Sequence, residues 1–297
     1  MFVNRSISCL FVIVALISSA LGQAELRAPL EKSYGLWRAA MLKGDVHTWQ
    51  VATARYRQVE IQNRLGAERR AFPAGVFQLP APPPSIQGLK FLEANAKGST
   101  AKASYFGKID FGIEGAAPTE NLIVLSFLEE GGAWRYDRAD FINLAVLPDV
   151  RKELAAGNLR YLQETPDARP SGVVPFVPAV APVAKYIAKV YVFCPGREVK
   201  VQVNKISHHT FANAKEAEVV IGGAIDGPNE VQFAVKKLEG GTAKEAITIR
   251  VYLMSEVAGV QPIKAFEYQG EASGVVVPFA TKTFNVDAAM VAKLKGK

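Results

Sequence analysis

The chain has 297 residues, 49 % hydrophobic and 21 % charged, so it is long enough for about two domains and too apolar to be disordered. Its net charge of +7 comes from 35 basic and 28 acidic residues that are mixed along the chain, which argues against a nucleic-acid-binding protein. Two cysteines are too few for a scaffold held together by several disulfides.

The first 24 residues have the three parts of a secretory signal peptide. Met1–Arg5 carries a positive charge, Leu10–Ile17 is apolar, and Ser18–Ala24 is rich in small residues. The apolar part is short for crossing a bilayer, which favours a cleaved signal over an uncleaved anchor. The sequence therefore predicts an exported protein, periplasmic or extracellular, with no transmembrane segment after cleavage.

Cleavage of this signal removes Cys9 and leaves Cys194 as the single cysteine of the mature chain. One cysteine cannot form an internal disulfide, so the domains must be stabilised by their hydrophobic cores. Cys194 follows a strand-like apolar run, which predicts a buried small side chain and not a reactive thiol.

Two helices are predicted at the start of the mature chain. Apolar residues recur at steps of four, three and four within residues 26–41, which predicts one apolar helix face. Its members are Leu30, Tyr34, Trp37 and Met41. After Lys43-Gly44-Asp45, a second helix is predicted over residues 46–70, followed by a proline-rich loop over residues 73–88.

Four strands are predicted next, and the last two form a hairpin around the turn Glu130-Gly131-Gly132. Their predicted ranges are Leu89–Ala94, Ala101–Gly112, Asn121–Glu129 and Ala133–Leu144. Helices followed by an antiparallel meander indicate an α+β domain, in which helices cover one face of a curved sheet. A short helix is predicted at Val150–Ala156.

Residues 164–183 contain five prolines and predict a semi-rigid linker. Seven short strands are predicted after it: Lys185–Cys194, Glu198–Ser207, Ala217–Gly222, Glu230–Leu238, Ala246–Ser255, Ile263–Tyr268 and Val275–Asn285. Their number and spacing predict an all-β sandwich of immunoglobulin-like general architecture. The predicted organisation is a signal peptide (1–24), an α+β domain (25–163), the linker (164–183) and the sandwich (184–297).

Two short motifs connect the first domain with a known superfamily. They are EKSYGLWRAAMLKGD, which ends at Asp45, and GGAWRYD at Gly131–Asp137. On these motifs, residues 26–145 resemble the NTF2-like (SnoaL-like, cystatin-like cone) superfamily. The resemblance implies a cone whose sheet wraps around the first helix and leaves an apolar pocket. Members include isomerases, dehydratases and non-catalytic binding or dimerisation modules, so the fold does not choose among them.

In such a cone, the candidate ligand-binding residues are Trp37, Trp134, Tyr136 and Arg138. Alternation along the last predicted strand places Tyr136, Arg138 and Asp140 on one side, which makes Asp140 and Tyr136 the candidate acid–base pair. However, Arg138 would keep Asp140 ionised and weaken it as a base. A β-bulge near Arg138 would also move Asp140 to the surface. A polar sheet edge is therefore favoured over a catalytic pair.

No cofactor or metal site is predicted. His208 and His209 are placed in a loop with no acidic residue within four positions, and no zinc, phosphate-loop, dinucleotide or serine-hydrolase motif occurs.

The favoured function is that of an exported, non-catalytic binding or protein-interaction protein. The cone would serve as ligand pocket or dimer surface, and the sandwich would serve as an interaction module. A small apolar ligand, a protein partner or a second copy of the chain would fit this function, whereas nucleic acid would not. One alternative is an NTF2-like small-molecule enzyme with acid–base groups in the cone. The other is glycan or cell-envelope binding by the sandwich, supported if Tyr191, Phe193 or Tyr268 faces solvent.

Overall fold

The computed structural model describes residues 6–111, 117–241, 246–270 and 276–297. Within these ranges the chain is a mixed α+β protein with six α-helices and three antiparallel sheets of four strands each. It divides into two compact units. The first contains residues 1–59 and 76–178, and the second contains residues 60–75 and 179–297.

The helices are α1 (Ser6–Lys43), α2 (Val46–Ala52), α3 (Arg55–Ala67), α4 (Pro148–Ala155), α5 (Arg160–Glu164) and α6 (Ala288–Leu294). Short 3-10 helices occur at Ala74–Phe77, Leu144–Val146 and Pro166–Ala168. Helix α1 includes the helix predicted over residues 26–41, whereas the charged start of the predicted signal peptide, Met1–Arg5, lies outside the described residues. Across the described ranges, no helix combines the length and hydropathy needed to cross a membrane.

The single helix predicted over residues 46–70 is wrong, because the chain leaves the helical conformation at Thr53. Thr53 is extended (φ −99°, ψ 137°) and forms a parallel bridge with Tyr136. The N–H of Ala54 donates to the carbonyl of Tyr136 at 2.8 Å. Pairing with a distant strand thus interrupts the helix at Thr53 and Ala54, and α2 and α3 are separate helices.

The four strands of the first unit pair in chain order as β1 (Lys90–Lys97), β2 (Thr100–Ile109), β3 (Thr119–Glu130) and β4 (Ala133–Asn143). The predicted hairpin is confirmed, and both of its turn glycines, Gly131 and Gly132, have positive φ, which suits a tight two-residue turn. Gly112, the predicted end of the second strand, lies outside the described residues.

Helix α1 covers one face of this sheet, as predicted, and the structure shows in addition that the opposite face is buried. Residues 121–128 of β3 are all buried, so the strand has apolar side chains on both sides. Ile123, Leu125 and Phe127 pack with α1. On the other face, Leu122 and Val124 pack with Leu154 of α4, Leu162 of α5 and Ala168.

The second unit contains two sheets, with orders β11-β10-β5-β8 and β12-β9-β6-β7. Their strands are β5 (Ala188–Phe193), β6 (Arg197–Val203), β7 (Ser207–Ala212), β8 (Lys215–Val219), β9 (Gly227–Lys237), β10 (Thr248–Leu253), β11 (Ile263–Gln269) and β12 (Phe279–Val286). Alternating side chains from both sheets belong to one hydrophobic cluster, together with Leu294 of α6. Val275, the predicted start of the last strand, lies outside the described residues.

The sequence missed β7, whose residues were placed partly in a strand and partly in a loop. Asn204 and Lys205 both have positive φ (50° and 59°) and make a tight turn that joins β6 to β7. This turn lacks glycine, so Asn204 was its only local signal. In consequence His208 and His209 lie on a strand, and the prediction of a loop for them is wrong.

The second unit also includes residues 60–75, which the sequence alone had grouped with the N-terminal domain. The side-chain amide of Asn63 in α3 donates to the carbonyl of Ala179 at 2.9 Å and accepts from the N–H of Ala181 at 2.8 Å. The N–H of Ala184 donates to the carbonyl of Gly66 at 3.0 Å. The end of α3 is therefore tied to the extended chain that precedes β5.

Candidate functional site

The interior predicted as a pocket is occupied by aromatic side chains. Tyr136 is buried, and its ring centroid lies 4.2 Å from that of Trp37, 5.3 Å from that of Tyr34 and 6.0 Å from that of Phe127. Trp134 is half-buried and packs against the same cluster. Burial raises the pKa of Tyr136 well above its usual value, so this phenol stays neutral. Of the four candidate ligand residues, Tyr136 is therefore a core residue, and Trp37 and Trp134 are half-buried against the same core.

A β-bulge in β4 separates Tyr136 from Asp140. Tyr136 pairs with Phe127 and Arg138 pairs with Ser126, so Asp137 is the extra residue. Beyond the bulge, Asp140 pairs with Val124, whose side chain belongs to the cluster on the opposite face from α1. The structure thus places the candidate acid and base on opposite faces of the sheet.

At its position on that face, Asp140 has neighbouring cations. Its carboxylate oxygen lies 3.4 Å from Nε of Arg138 and 3.9 Å from Nζ of Lys102, and 40 % of its side chain is exposed. Arg138, the fourth candidate ligand residue, is half exposed beside it. This arrangement is an ion-pair cluster at a sheet surface and offers no enclosed site for acid–base chemistry.

In the second unit, His209 links a serine and a glutamate. Its Nδ1 lies 2.6 Å from a carboxylate oxygen of Glu218, and its Nε2 lies 2.7 Å from the hydroxyl oxygen of Ser207. The order serine–histidine–carboxylate is that of a nucleophilic triad. However, Ser207 is only 1 % exposed, and its oxygen also accepts the N–H of Ile221 at 2.8 Å. A substrate cannot reach this hydroxyl, so the set joins the edge strands β7 and β8 and does not form an open active site.

The other candidate features of the second unit are buried or half-buried. Cys194 is buried, as predicted, and burial raises the pKa of its thiol. Tyr268 lies against Phe233 with centroids 4.5 Å apart, while Tyr191 and Phe193 are half-buried. Within the part of the chain that the structure describes, no group of three or more histidine, cysteine, aspartate or glutamate residues could hold a metal ion.

The first unit has an open cavity of about 500 Å³ between α1 and residues 85–89, which we call the α1 cleft. The cleft is lined by one stripe of α1 and by the loop that precedes β1. Helix residues on the stripe recur at steps of three and four, so they share one face. They are Arg27, Glu31, Tyr34, Arg38 and Leu42, with Gly35, Ala39 and Lys43 beside them, and the loop supplies Ser85, Ile86, Gln87, Gly88 and Leu89.

The wall formed by the loop is held by hydrogen bonds from the helix to the proline segment. The hydroxyl of Tyr34 donates to the carbonyl of Pro84 at 2.7 Å. Nε of Arg38 donates to the carbonyls of Pro83 and Pro84 at 2.9 and 3.1 Å. Burial raises the pKa of Tyr34 to about 12, so its hydroxyl remains a donor at neutral pH. Proline carbonyls have no helical or sheet partner, which leaves them free to accept from side chains.

The cleft carries a net positive charge, since three cations line it with one acid: 3 − 1 = +2. Arg27 is neutralised by Glu31, with Nε 2.7 Å from the carboxylate, and its guanidinium lies 4.3 Å from the Phe91 centroid. Glu31 also accepts from the hydroxyl of Tyr105 at 3.1 Å. By contrast, Arg38 and Lys43 have no ion-pair partner in the described ranges, so these two charges account for the net +2 of the cleft.

Sequence reasoning missed this cleft because it considered only the apolar stripe of the first helix. The signal was present as a second stripe, in which Arg27, Glu31 and Arg38 also recur at helical spacing. The partner surface lies 45 residues or more away in the proline segment, and no local pattern connects the two.

Comparisons of the chain with models of protein families, with curated proteins and with solved structures found no match. The resemblance to the NTF2-like superfamily therefore stays a prediction, and the function has to be argued from the geometry of the chain itself.

Proposed function

We propose that the chain is an exported, non-catalytic binding protein whose N-terminal unit holds a small ligand in the α1 cleft. The observation that carries this proposal is the cleft itself, a cavity of about 500 Å³ whose loop wall is fixed by Tyr34 and Arg38. Cavities of this size accommodate small molecules. Removal of residues 1–24 as a signal peptide would leave every cleft residue in the mature chain.

The separation of the titratable groups supports binding over catalysis. Tyr136 and Asp140 lie on opposite faces of the sheet and cannot act on one substrate. The serine of the Ser207–His209–Glu218 set is buried. Neither set meets the requirement that a catalytic group touch the substrate.

We also propose finer fold assignments for the two units. An NTF2-like cone for the first unit is supported by the packing of α1 on the sheet of β1 to β4. An immunoglobulin-like sandwich for the second unit is supported by the shared core of its two sheets. In this arrangement the second unit would act as an interaction module.

Gly35 offers a direct test of binding in the α1 cleft. It lines the cleft, and a Cβ added there would meet no atom within 4 Å. Gly35→Phe should therefore fold normally and fill the cleft, while Gly35→Ala gains similar helix propensity and leaves the cleft open. The mature protein is titrated with the fluorescent amphiphile dansylaminoundecanoate. Binding by the unmodified protein and Gly35→Ala, but not by Gly35→Phe, is expected, with melting temperatures that do not fall.

The proposal is wrong if the unmodified protein does not bind the probe. It is equally wrong if Gly35→Phe binds as well as Gly35→Ala, because the probe would then occupy another surface.

A further inference from the structure

We infer that the ligand of the α1 cleft is an anionic amphiphile, with a carboxylate or phosphate head bound by Arg38 and an apolar chain lying along the helix. This inference rests on the proposed binding function and names the class of ligand. Three observations carry it: the state of the Arg38 side chain, the distribution of charge along the cleft, and its apolar lining.

The guanidinium of Arg38 is held in place by its inner nitrogen. Nε donates to two proline carbonyls, which restricts rotation of the planar group. No other hydrogen bond and no ion pair of Arg38 occurs among the described residues. The N–H groups of its two terminal nitrogens are therefore available to donate to a ligand. A guanidinium fixed on one edge with donors on the other is preorganised for the two oxygens of a carboxylate or phosphate.

The charge along the cleft is uneven, which gives the ligand a direction. Arg27 and Glu31 neutralise each other at one end of the cleft. Arg38 and the exposed Lys43 have no acidic partner among the described residues and lie toward the other end. From Arg27 to Lys43 a helix rises about 24 Å, so the cleft has room for an extended molecule. An anionic head is therefore expected at Arg38, near Lys43.

The surface beside Arg38 is apolar. Leu42 is 52 % exposed although it lines the cleft, and Ala39, Ile86 and Leu89 line it too. Gly35 adds a helix position with no side chain, so the floor of the cleft is smooth there. Covering this surface with a hydrocarbon chain would remove apolar area from water, which a purely ionic ligand would not do. A short charged metabolite therefore fits the cleft less well than an amphiphile.

The test compares dansylaminoundecanoate with its uncharged methyl ester on the mature protein. The acid is expected to bind about tenfold more tightly than the ester, since a charge-assisted pair is stronger than a neutral contact. Arg38→Gln should reduce the affinity for the acid about tenfold more than the affinity for the ester, because the ester loses only the support of the loop wall and the acid also loses its charged partner. Lys32→Gln, which removes an exposed charge of α1 that does not line the cleft, is the matched control and should change neither.

The two probes separate binding by Arg38 from its contact with the prolines. If Arg38 only holds the loop, Arg38→Gln will weaken both probes by the same factor, and the inference fails. If acid and ester bind equally to the unmodified protein, the head is not recognised and the inference fails while the proposed binding function stands. If neither probe binds, the proposed function itself fails.

Displacement of the bound acid then distinguishes the two head groups. Decanoate and decyl phosphate should displace the probe at lower concentration than decanol, and their order identifies the preferred head. Equal displacement by all three would overturn the inference.

Discussion

The two units bury their hydrophobic residues in different ways. The first unit relies on large aromatic rings, several of which carry polar atoms: Tyr34, Trp49, Tyr105, Phe127 and Tyr136. The second unit relies mainly on aliphatic side chains from its two sheets, and its buried aromatic rings are phenylalanines, which carry no polar atom: Phe211, Phe233, Phe266 and Phe284. Branched residues suit the pleated surface of a strand and need no hydrogen-bond partner.

This difference has a consequence for function. Tyrosine hydroxyls at the edge of a core must find acceptors, and Tyr34 finds the carbonyl of Pro84, which fixes one wall of a cleft. In the second unit, the polar atoms of the Ser207–His209–Glu218 set bond to one another and to the N–H of Ile221. The unit whose buried rings carry polar atoms offers an open polar-lined site, the α1 cleft.

The largest expected effect comes from truncating the largest fully buried side chain. Trp49 is fully buried, and Trp49→Ala should lower the free energy of unfolding by about 3–5 kcal/mol. Ile249→Val in the core of the second unit should cost only about 1 kcal/mol. Chemical denaturation gives both values, and hydrogen exchange should locate the Trp49→Ala effect in residues 25–59 and 76–178. A loss below 1 kcal/mol for Trp49→Ala would contradict this packing.

The second effect concerns a turn in the second unit where only glycine fits. Gly223 has φ +62°, and an added Cβ would lie 2.3 Å from the carbonyl oxygen of Tyr186. Gly223→Ala should lower the free energy of unfolding by about 3 kcal/mol through strain and the clash. Gly259 has a similar φ of +82° with open space around it, so Gly259→Ala should cost only about 1 kcal/mol. Equal losses in a urea titration would show that the contact with Tyr186 is absent.

The third prediction is that the first unit weakens in alkali. Burial raises the pKa of Tyr34 from 10.0 to about 12 and also raises the pKa of Tyr105 and Tyr136. The folded state therefore disfavours the phenolate. The protonated tyrosine contributes to the free energy of unfolding below pH 10, and this contribution is lost as the pH rises from 10 toward 12. For Tyr34 the loss is at most about 2.7 kcal/mol, given 1.36 kcal/mol per pKa unit.

Phenolate absorbance measured against pH checks this. Tyr34, Tyr105 and Tyr136 should ionise late, together with unfolding of the first unit, and Tyr34→Phe should reduce the alkaline loss. Ionisation of all nine tyrosines near pH 10 in the folded chain would rule the prediction out.

The smallest expected effect is a loss of stability of the second unit in acid, whereas the first unit loses stability in alkali. Burial lowers the pKa of His209 below its usual 6.5, although Glu218 opposes the shift. The folded state favours the neutral imidazole. The neutral His209 therefore contributes to the free energy of unfolding above pH 6.5, and this contribution is lost as the pH falls through the lower folded pKa. His209→Gln should flatten the dependence of unfolding free energy on pH in that window, and His208→Gln is the matched control. A stability that rises on acidification would mean that Glu218 dominates.

Much of the secondary structure could be predicted from local patterns. The hairpin around Gly131 and Gly132 was visible because strand alternation and turn residues are short-range signals. The break at Thr53 and the strand Ser207–Ala212 were missed, because a bridge to Tyr136 and a glycine-free turn produced them. A bulge near Arg138 was considered from the sequence, but only the pairing with β3 shows that it lies at Asp137 and places Asp140 on the opposite face from Tyr136.

The sequence by itself determined the α+β character, the aromatic stripe of the first helix and the alternating strands of the second unit. These features follow from the fixed side-chain periods of helices and strands, which are visible in any short stretch of sequence. Which residues form the candidate site was decided by the tertiary structure alone. Tyr34 and Arg38 meet Pro83 and Pro84 across at least 45 residues of chain, and His209 meets Glu218 across two sheets. Such contacts depend on how separate elements pack, and side-chain hydrogen bonds between distant residues leave no periodic signal in the sequence.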